Sequence, residues 1–348
     1  MQISGGITLR TAYSRIARPL SRQLRSLSSV PVSESSFDTL DIQQFRDVAF
    51  APARTLLMRG QNSQGLPAIR KWFQMQDDIS YLHSEEFGFT DYLESFKGMC
   101  FPYELIYPQW SKDLACESVS QFSSWLSKSE DEEYRLIAEM FRDIFPSEPS
   151  KTAGNSQLFR FEAPLTLLIS ALEYNRQQRA SSNRVLTQLY IAQASLNDLP
   201  LELRDDVTIP NIVNSAGKGD VYDSSVWLGL EPTYTPWHRD PNPNLFCQLC
   251  SSKVIRLLPP NLGEHIFRTV QMKLGRHGSS RIRGEEMMHG PERTLLHDAI
   301  WSPDANPEIF EARVSPGDAL FIPKGWWHSV RSVHGDGRLN GSVNWWFR

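Results

Sequence analysis

Apolar positions recur with a helical period through the first part of the chain. From about Phe37 to Leu203 they mostly return every three or four residues, the spacing that places side chains on one face of a helix. One such stripe comprises Tyr134, Ile137, Ala138, Phe141 and Ile144. Packing into a core explains stripes of this kind, and none of them indicates chemistry. Residues 34–208 are therefore predicted to form a mainly α-helical region.

Local signals refine this region at four places. The segment Leu66 to Met75 begins with Leu-Pro-Ala, which predicts that a helix starts there. This helix is expected to continue through Met75. Ser118-x-x-Gln121 has the form of a capping box and predicts that a helix begins there and continues through Trp125. Ala53 to Met58 predicts a strand, and Leu165 to Tyr174 predicts a further helix.

After Ile209 the pattern changes to short extended segments separated by Pro, Gly, Asn and Asp. The predicted strands are Val226 to Leu230, Leu245 to Cys250, Lys253 to Leu258, Arg313-Val314, Ala319 to Ile322, His328 to Val333 and Ser342 to Phe347. Seven of the ten tryptophans lie from Trp227 onward, which suits pleated surfaces that pack face to face. These short strands predict a mainly β domain over residues 209–348, built as a sandwich or a jelly-roll barrel.

The segment 264–310 interrupts this rhythm with Arg, His, Gly and Met. We interpret it as a long insertion in the β domain. Long ordered loops in compact domains are usually binding elements or lids, so this segment is expected to be one of these.

The first thirty-three residues differ from the rest in charge, because they carry five arginines and no acidic residue. Apolar residues recur there every three or four positions while the arginines recur on another face, which predicts a basic amphipathic helix interrupted at Pro19. This pattern is typical of a mitochondrial presequence, and a disordered basic tail is the alternative. In both cases residues 1–33 are expected to lie outside the fold. The expected compartment is mitochondrial, or otherwise cytoplasmic or nuclear.

Composition and charge narrow the class of protein that the sequence predicts. A chain of 348 residues with 40% hydrophobic and 22% charged positions can bury a substantial core. Its net charge of −4 and its lack of a long basic run give no support for a nucleic-acid partner. No run of roughly eighteen apolar residues occurs, so the sequence predicts no membrane span. Four cysteines favour a reducing compartment, and the spacing of Cys247 and Cys250 in a strand argues against a shared metal or redox role.

Three His-x-Asp/Glu tripeptides occur, and chance alone produces roughly one in a chain of this composition. His83-Ser84-Glu85 and His334-Gly335-Asp336 are interpreted as surface residues. His238-Arg239-Asp240 differs because strands flank it, so that a strand end can hold both side chains at the mouth of a barrel. His328 begins another strand, and strands distant in sequence are neighbours in a jelly roll. Two imidazoles and one carboxylate would suit iron(II) with open positions, whereas His328 as a core histidine is the alternative.

Lys253 adds a cation to the same region. Its same-face neighbours Ile255 and Leu257 are apolar, which predicts that the lysine points inward. A buried ammonium group is costly without an anionic partner, and a dicarboxylate cosubstrate would supply one. Thr235 and Asn244 are placed to donate hydrogen bonds to a carboxylate. A surface lysine on an edge strand is the alternative.

These motifs together resemble one family. His-x-Asp, a lysine thirteen positions after the aspartate, a strand ending in Leu-Pro-Pro, a Pro-Gly-Asp turn, Ile-Pro-x-x-Trp-Trp-His and a closing Val-Asn-Trp-Trp are similar to the Jumonji-C (cupin-8 type) 2-oxoglutarate oxygenases. The likeness is greatest to small protein hydroxylases such as the asparaginyl hydroxylase that inhibits hypoxia-inducible factor. It extends over most of residues 37–348 and implies a double-stranded β-helix, the cupin-like form of the jelly roll.

The resemblance also implies roles for eight residues. Iron(II) would be bound by His238, Asp240 and His328. The far carboxylate of 2-oxoglutarate would pair with Lys253, helped by Thr235 and Tyr190, while Asn244 and Asn344 would lie near the carboxylate at the metal. The implied reaction consumes O2 and 2-oxoglutarate, yields succinate and carbon dioxide, and hydroxylates a side chain of a protein or peptide substrate.

Two alternatives stay open. A lysine demethylase uses the same iron site, although no reader domain or zinc cluster accompanies it here, and a catalytically silent jelly roll could bind metal or a peptide without oxidation. The sequence also departs from the family in two respects. It stops at Arg348, so the C-terminal helices through which relatives dimerise are not expected and the oligomeric state is open. The composition of residues 264–310 differs too, which leaves the substrate-facing wall undefined.

Overall fold

The computed structural model describes residues 29–60, 65–76, 86–107, 114–145, 157–181, 184–276, 290–305 and 308–348. Most of the predicted basic tail, and the tripeptide that begins at His83, lie outside these residues. No helix within them is long and apolar enough to span a bilayer.

Sixteen strands are present in this part of the chain. They are β1 (Val30–Pro31), β2 (Glu34–Ser36), β3 (Leu56–Arg59), β4 (Phe73–Met75), β5 (Phe87–Phe89), β6 (Cys100–Tyr107), β7 (Gln157–Pro164), β8 (Leu189–Ser195), β9 (Val221–Leu230), β10 (Tyr234–Arg239), β11 (Asn244–Cys250), β12 (Lys253–Leu258), β13 (Phe310–Val314), β14 (Ala319–Ile322), β15 (Trp327–Ser332) and β16 (Leu339–Phe347).

Helices precede the strands of the second half and also interrupt them. They are α1 (Ile42–Phe45), which continues as a π-helical turn (Arg46–Phe50), α2 (Ala68–Lys71), α3 (Asp91–Glu94), α4 (Leu114–Ser127), α5 (Glu132–Ile144), α6 (Thr166–Ala180), a 3₁₀ turn (Leu196–Asp198), α7 (Leu201–Asp206), α8 (Asn211–Ser215), α9 (Pro260–Leu274) and α10 (Gly290–Trp301).

Two large sheets form the body of the β domain. One has five strands in the order β1-β13-β12-β15-β10, and the other has nine in the order β2-β3-β14-β11-β16-β9-β8-β6-β7. All pairs among β9 to β16 are antiparallel, and neighbours such as β10 and β15 are far apart in the chain. This arrangement is the double-stranded β-helix that the sequence predicts, and that prediction is confirmed.

Alternation along the strands separates the interior of the barrel from its outer layers. On β11, Phe246 joins Ile255 and Val330 in a buried cluster between the two sheets. Its neighbours Leu245 and Cys247 belong instead to the large cluster that the nine-stranded sheet shares with the N-terminal helices. Because successive side chains of a strand point to opposite faces, one strand can serve both the interior and the outer core.

The described part of the insertion lies mostly in two helices that cover the outside of the five-stranded sheet. The expected binding element or lid finds no support in these residues, because none of them lines the cavity between the sheets. Pro260 occupies the first turn of α9, and Gly275, with φ of 64°, ends it. Trp237 and Trp327 point outward from β10 and β15 and pack against both helices in a third buried cluster. Each such side chain contributes about 1.5–3 kcal/mol on burial, which holds the described part of the insertion on this outer face.

The N-terminal region is richer in strands than its helical period suggests. β6, β7 and β8 extend the nine-stranded sheet, so this region and the barrel share one sheet. The helix predicted from Leu66 to Met75 is wrong beyond α2, since Phe73–Met75 pairs with Phe87–Phe89 as β4 and β5. The helix expected to begin at Ser118 begins at Leu114, so Ser118 does not cap it. Long-range pairing prevails over local signals in the first case.

The expectation that residues 1–33 lie outside the fold is wrong at its end. β1 pairs with β13 in parallel, and Val32 is buried between the sheets. Because Val30-Pro31-Val32 is apolar and β-branched at two positions, it suits an edge strand better than a disordered tail. The remainder of the predicted tail, residues 1–28, lies outside the described residues.

Candidate metal centre

Two histidines face each other across neighbouring strands. His238 of β10 pairs directly with His328 of β15, and their ring centroids are 4.2 Å apart. A register shift between Thr235 and His238 lies just before the first imidazole. Bulges of this kind re-aim a side chain, and here both rings point into the space between the sheets.

Backbone carbonyls fix the orientation of both imidazoles. The Nδ1 atom of His238 lies 2.8 Å from the carbonyl oxygen of Pro236, and Nδ1 of His328 lies 3.2 Å from that of Trp326. A carbonyl only accepts hydrogen bonds, so each Nδ1 carries the proton and donates it. In each ring Nε2 is consequently the nitrogen that carries the lone pair, which is the tautomer that metal-binding histidines require.

Asp240 completes the group at the end of β10. Its Oδ1 lies 3.7 Å from Nε2 of His238, and its Oδ2 lies 3.7 Å from Nε2 of His328. The turn is fixed because the amide of Gly325 donates to the Asp240 carbonyl at 3.1 Å. The ligand atoms of the three residues all lie within 4.8 Å of one another.

The two oxygens of Asp240 have different surroundings. Oδ2 accepts hydrogen bonds from Trp346 Nε1 at 2.7 Å and from Asn244 Nδ2 at 3.0 Å. Burial on its own raises the pKa of the Asp240 carboxyl, but the charge that the two neighbouring imidazoles carry when protonated and these two hydrogen bonds outweigh burial and lower that pKa. The group is therefore a carboxylate at neutral pH. Both of these hydrogen bonds end on Oδ2 rather than on Oδ1.

These donors fit a divalent metal. Two neutral imidazole nitrogens and one carboxylate oxygen form a facial set that suits iron(II) and leaves further positions open. Since Oδ2 already accepts two hydrogen bonds, the geometry favours a single bond from Oδ1 to the metal. Among the described residues, no other group of three histidine, cysteine or acidic side chains converges in this way.

A series of hydrogen bonds extends from the carboxylate across β11, β16 and β9. Asn344 Nδ2 donates to Asn244 Oδ1 at 3.2 Å, and Trp227 Nε1 donates to Asn344 Oδ1 at 2.8 Å. Each amide both donates and accepts, so their rotamers are mutually determined. Asn244 therefore directs its NH2 group at Asp240 rather than away from it.

Lys253 lies on the inner face of β12 and is 2% exposed. Its Nζ donates to Ser342 Oγ at 2.8 Å and to Tyr190 Oη at 3.2 Å. The rings of Phe246 and Tyr190 approach the ammonium group at 5.5 and 5.7 Å from their centroids. These hydroxyls and aromatic faces orient the cation where it lines the cavity, a position that suits the recognition of a carboxylate.

One cavity of about 330 Å³ joins the three candidate ligands to Lys253. All eight residues singled out from the sequence line it: Tyr190, Thr235, His238, Asp240, Asn244, Lys253, His328 and Asn344. Thr235 contributes to the wall, and its backbone carbonyl accepts a hydrogen bond from Ser329. The structure thus places these residues together, while the roles implied for them stay predictions.

Sequence reasoning missed several residues of the cavity. Ser342 and Trp346 share the inner face of β16 with Asn344, and both make direct hydrogen bonds to the residues above. Alternation from Asn344 would have found them, because residues two positions apart point the same way. Tyr222 at the rim lies in no motif, and only the fold brings it to the cavity.

Comparison with known proteins agrees with this geometry. Residues 117–348 match the family model of the cupin-like domain. The chain is 31% identical over 331 residues to the Jumonji C domain-containing protein 5 of Drosophila melanogaster, covering 94% of this chain and 63% of that protein. It is 27% identical over 180 residues to the lysine-specific demethylase JMJ30 of Arabidopsis thaliana, covering 52% of this chain and 38% of that protein.

A third relative is the lysine-specific demethylase 8 of Danio rerio, at 32% identity over 161 residues, covering 45% of this chain and 36% of that protein. The chain therefore spans between about a third and two thirds of the length of these relatives. A particular closeness to the asparaginyl hydroxylase stays a prediction. The barrel, its paired histidines and the matched family model together show that this chain belongs to the cupin-like (cupin-8, JmjC) domain family.

Proposed function

We propose that this protein is an Fe(II)- and 2-oxoglutarate-dependent dioxygenase that hydroxylates a side chain of a protein substrate. One observation carries the proposal. His238, Asp240 and His328 converge at one end of a cavity, and the same cavity holds a buried lysine. A metal site alone would serve many functions, whereas a metal site combined with an inward ammonium group suits a dicarboxylate that chelates the metal.

The cofactors would supply the chemistry: iron(II) and 2-oxoglutarate together activate O2 and yield succinate and carbon dioxide. The protein would position them. His238, Asp240 and His328 would bind iron, and Lys253 would pair with the far carboxylate of 2-oxoglutarate. Tyr190 and Ser342 orient the Lys253 ammonium group by accepting its hydrogen bonds.

Residues around the carboxylate ligand would keep positions on the metal open. Trp346 and Asn244 occupy Oδ2 of Asp240, so that oxygen is not free to take a second position on the metal. Apolar groups between the sheets, such as Phe246 and Val330, restrict water around the inner part of the cavity. A desolvated cavity strengthens the attraction between Lys253 and a carboxylate.

Coupled turnover tests the proposal. We expect the full chain loaded with Fe(II) to consume O2 and to form succinate only when 2-oxoglutarate is present. Asp240→Ala should abolish succinate formation, because one of three ligands is lost, while the variant still folds by circular dichroism. Full succinate production by Asp240→Ala would show that the ligand assignment is wrong, and the absence of uptake by the unaltered chain would favour the catalytically silent alternative.

Demethylation of lysine is the second candidate, because two of the relatives named above are lysine-specific demethylases. Both reactions would use the same iron and 2-oxoglutarate positions. Mass spectrometry of a reacted substrate separates them. Hydroxylation adds one oxygen atom that stays on the product, whereas demethylation removes a methyl group and releases formaldehyde.

A further inference from the structure

A second groove adjoins the metal cavity on the nine-stranded sheet. It has a volume of about 640 Å³ and crosses β6, β7, β8 and β9. Gln193 and Asp223 line both the groove and the metal cavity. One extended ligand can therefore occupy both, with one residue at the metal and a neighbouring residue in the groove.

The groove is acidic. Glu104, Glu162 and Asp223 contribute three carboxylates to its lining, and Arg160 contributes one guanidinium group. Arg160 Nε donates to Glu104 Oε1 at 3.1 Å, with the arginine side chain 48% exposed and the glutamate 12%. The ion pair between Arg160 and Glu104 thus shows that this lining accepts a cation. Glu162 and Asp223 add two further carboxylates to the groove.

A buried hydroxyl also points to a ligand. Ser225 is 1% exposed, lines the groove and has no hydrogen-bond partner for its Oγ among the described residues. Burying a hydroxyl without a partner is unfavourable, so such a group in a groove usually meets a ligand or water. A hydroxyl beside carboxylates can accept a hydrogen bond from a guanidinium or ammonium group.

Backbone strain lies at the junction of the two spaces. Gln193 has a φ of 58°, in a register shift of β8 between Ile191 and Ala194. Left-handed backbone is unfavourable for a residue with a side chain, and strained residues and bulges concentrate at ligand sites. Gln193 is exposed there, so its amide can meet a backbone that passes from the cavity to the groove.

We propose that this groove binds an arginine or lysine side chain of the protein substrate, next in space to the residue that enters the metal cavity. The inference rests on the proposed function for the target residue, and it adds a charge requirement for the residue beside the target. Glu162, Asp223 and Ser225 form the binding surface together with Glu104. The cation of the substrate takes the place near Glu104 that Arg160 occupies in the free protein.

Binding of labelled peptide pools tests the groove without any turnover. Three pools of random peptides, each fixed at one position as arginine or lysine, as alanine, or as glutamate, are titrated with the full chain by fluorescence polarisation. The basic pool should bind most tightly. In the double variant Asp223→Asn/Glu162→Gln we expect its affinity to fall about three- to tenfold, since each exposed ion pair contributes a factor of up to about five.

The double variant Glu139→Gln/Asp143→Asn is the matched control, because it removes the same charge from α5 outside the groove. Its affinity for the basic pool should not change. Arg160→Gln supplies an effect of opposite sign, since removing the internal competitor should raise the affinity for the basic pool. Equal binding of the three pools, an equal loss in the control, or weaker binding by Arg160→Gln would each overturn the proposal.

The outcomes separate this inference from the proposed function. If the chain prefers the basic pool but shows no coupled turnover, the proposal for the groove stands and the proposed dioxygenase function is wrong. Coupled turnover without any charge preference would retain the dioxygenase and exclude the groove.

Discussion

At the scale of single residues, Asp240 shows how much of the site depends on contacts that motifs do not contain. The His-x-Asp tripeptide identifies the residue, yet the hydrogen bonds to Oδ2 come from Trp346 and Asn244 on other strands. Sequence could indicate the residue types and their order along the chain. It could not show that one carboxylate oxygen accepts two hydrogen bonds, because these depend on the register between β11 and β16.

Loss of the Trp346 hydrogen bond should weaken metal binding. We expect Trp346→Phe to lower the affinity for Mn(II) by about ten- to a hundredfold, the effect typical of groups that orient a metal ligand. Isothermal titration calorimetry on the metal-free chain measures it. Trp345→Phe is the matched control, because Trp345 points to the opposite face and its Nε1 has no partner among the described residues. Equal losses in both variants would show that Trp346 acts through the fold alone.

Lys253→Met should weaken binding of 2-oxoglutarate much more than binding of the metal. The substitution keeps an unbranched side chain and removes the charge that would pair with the far carboxylate. Charge-assisted hydrogen bonds contribute about 1.5–3 kcal/mol, so we expect a loss of roughly ten- to a hundredfold in affinity. Titration of 2-oxoglutarate into the Mn(II)-loaded variant measures this. Unchanged 2-oxoglutarate affinity would remove Lys253 from the binding site.

At the scale of elements, the insertion shows that composition alone does not predict its secondary structure. Segment 264–310 contains Arg, His and Gly, which favour a loop, but α9 and α10 bury Trp237 and Trp327 outside the barrel. None of its described residues lines the metal cavity. The strands could be predicted because alternation is local. The helices over them depend on outward tryptophans, whose partners the sequence does not indicate.

Gly263 tests this contact between helix and sheet. A Cβ at Gly263 would meet the ring of Trp327 at 2.2 Å, whereas one at Gly98 would meet no atom within 4 Å. Helix propensity alone predicts that Gly263→Ala stabilises the protein by about 1 kcal/mol. Because the indole is fully buried, we expect instead a loss of about 1–3 kcal/mol in the free energy of unfolding, measured by urea denaturation. Gly98→Ala should change it little, and stabilisation by Gly263→Ala would contradict the packing.

An ion pair before β16 should make stability depend on pH. Burial raises the pKa of Asp336, but hydrogen bonds and charge from Arg338, with a further contribution from Arg179, lower it overall. A lowered folded pKa stabilises the protein above the unfolded value of about 3.9, and the contribution is lost as pH falls through the folded pKa.

We therefore expect Asp336→Asn to lower the free energy of unfolding by roughly 0.5–1 kcal/mol at neutral pH, a value reduced for its partial exposure to solvent. The difference from the unaltered chain should shrink toward pH 3. Asp304→Asn, at an exposed turn, serves as the control in the same denaturation series. A difference that grows as pH falls would contradict the ion pair.

At the scale of the whole molecule, the basic presequence-like pattern and the start of the fold do not share one boundary at residue 33. The basic pattern predicts a presequence, but Val30 and Pro31 pair with β13 and Val32 is buried. The overall barrel could be predicted because its short strands and the motifs of the family occur in a recognisable order along the chain. The edge strand could not, since a two-residue pairing leaves no period in the sequence.

Two truncations distinguish import from folding. Removal of residues 1–28 should leave the melting temperature within about 2 °C, whereas removal of residues 1–33 should lower it by several degrees through loss of β1 and Val32. Differential scanning calorimetry compares them. Equal melting temperatures would show that β1 contributes nothing to stability.

If residues 1–28 direct mitochondrial import, a fluorescent fusion without them should lose that localisation.

A crystal structure of the full chain grown anaerobically with Mn(II) and 2-oxoglutarate tests the central claim most directly. Anomalous scattering should show one metal bonded to Nε2 of His238, Nε2 of His328 and one oxygen of Asp240. The far carboxylate of 2-oxoglutarate should lie within about 3 Å of Lys253 Nζ, the distance of a charge-assisted hydrogen bond. A metal bound elsewhere, or a cosubstrate that avoids Lys253, would contradict the account.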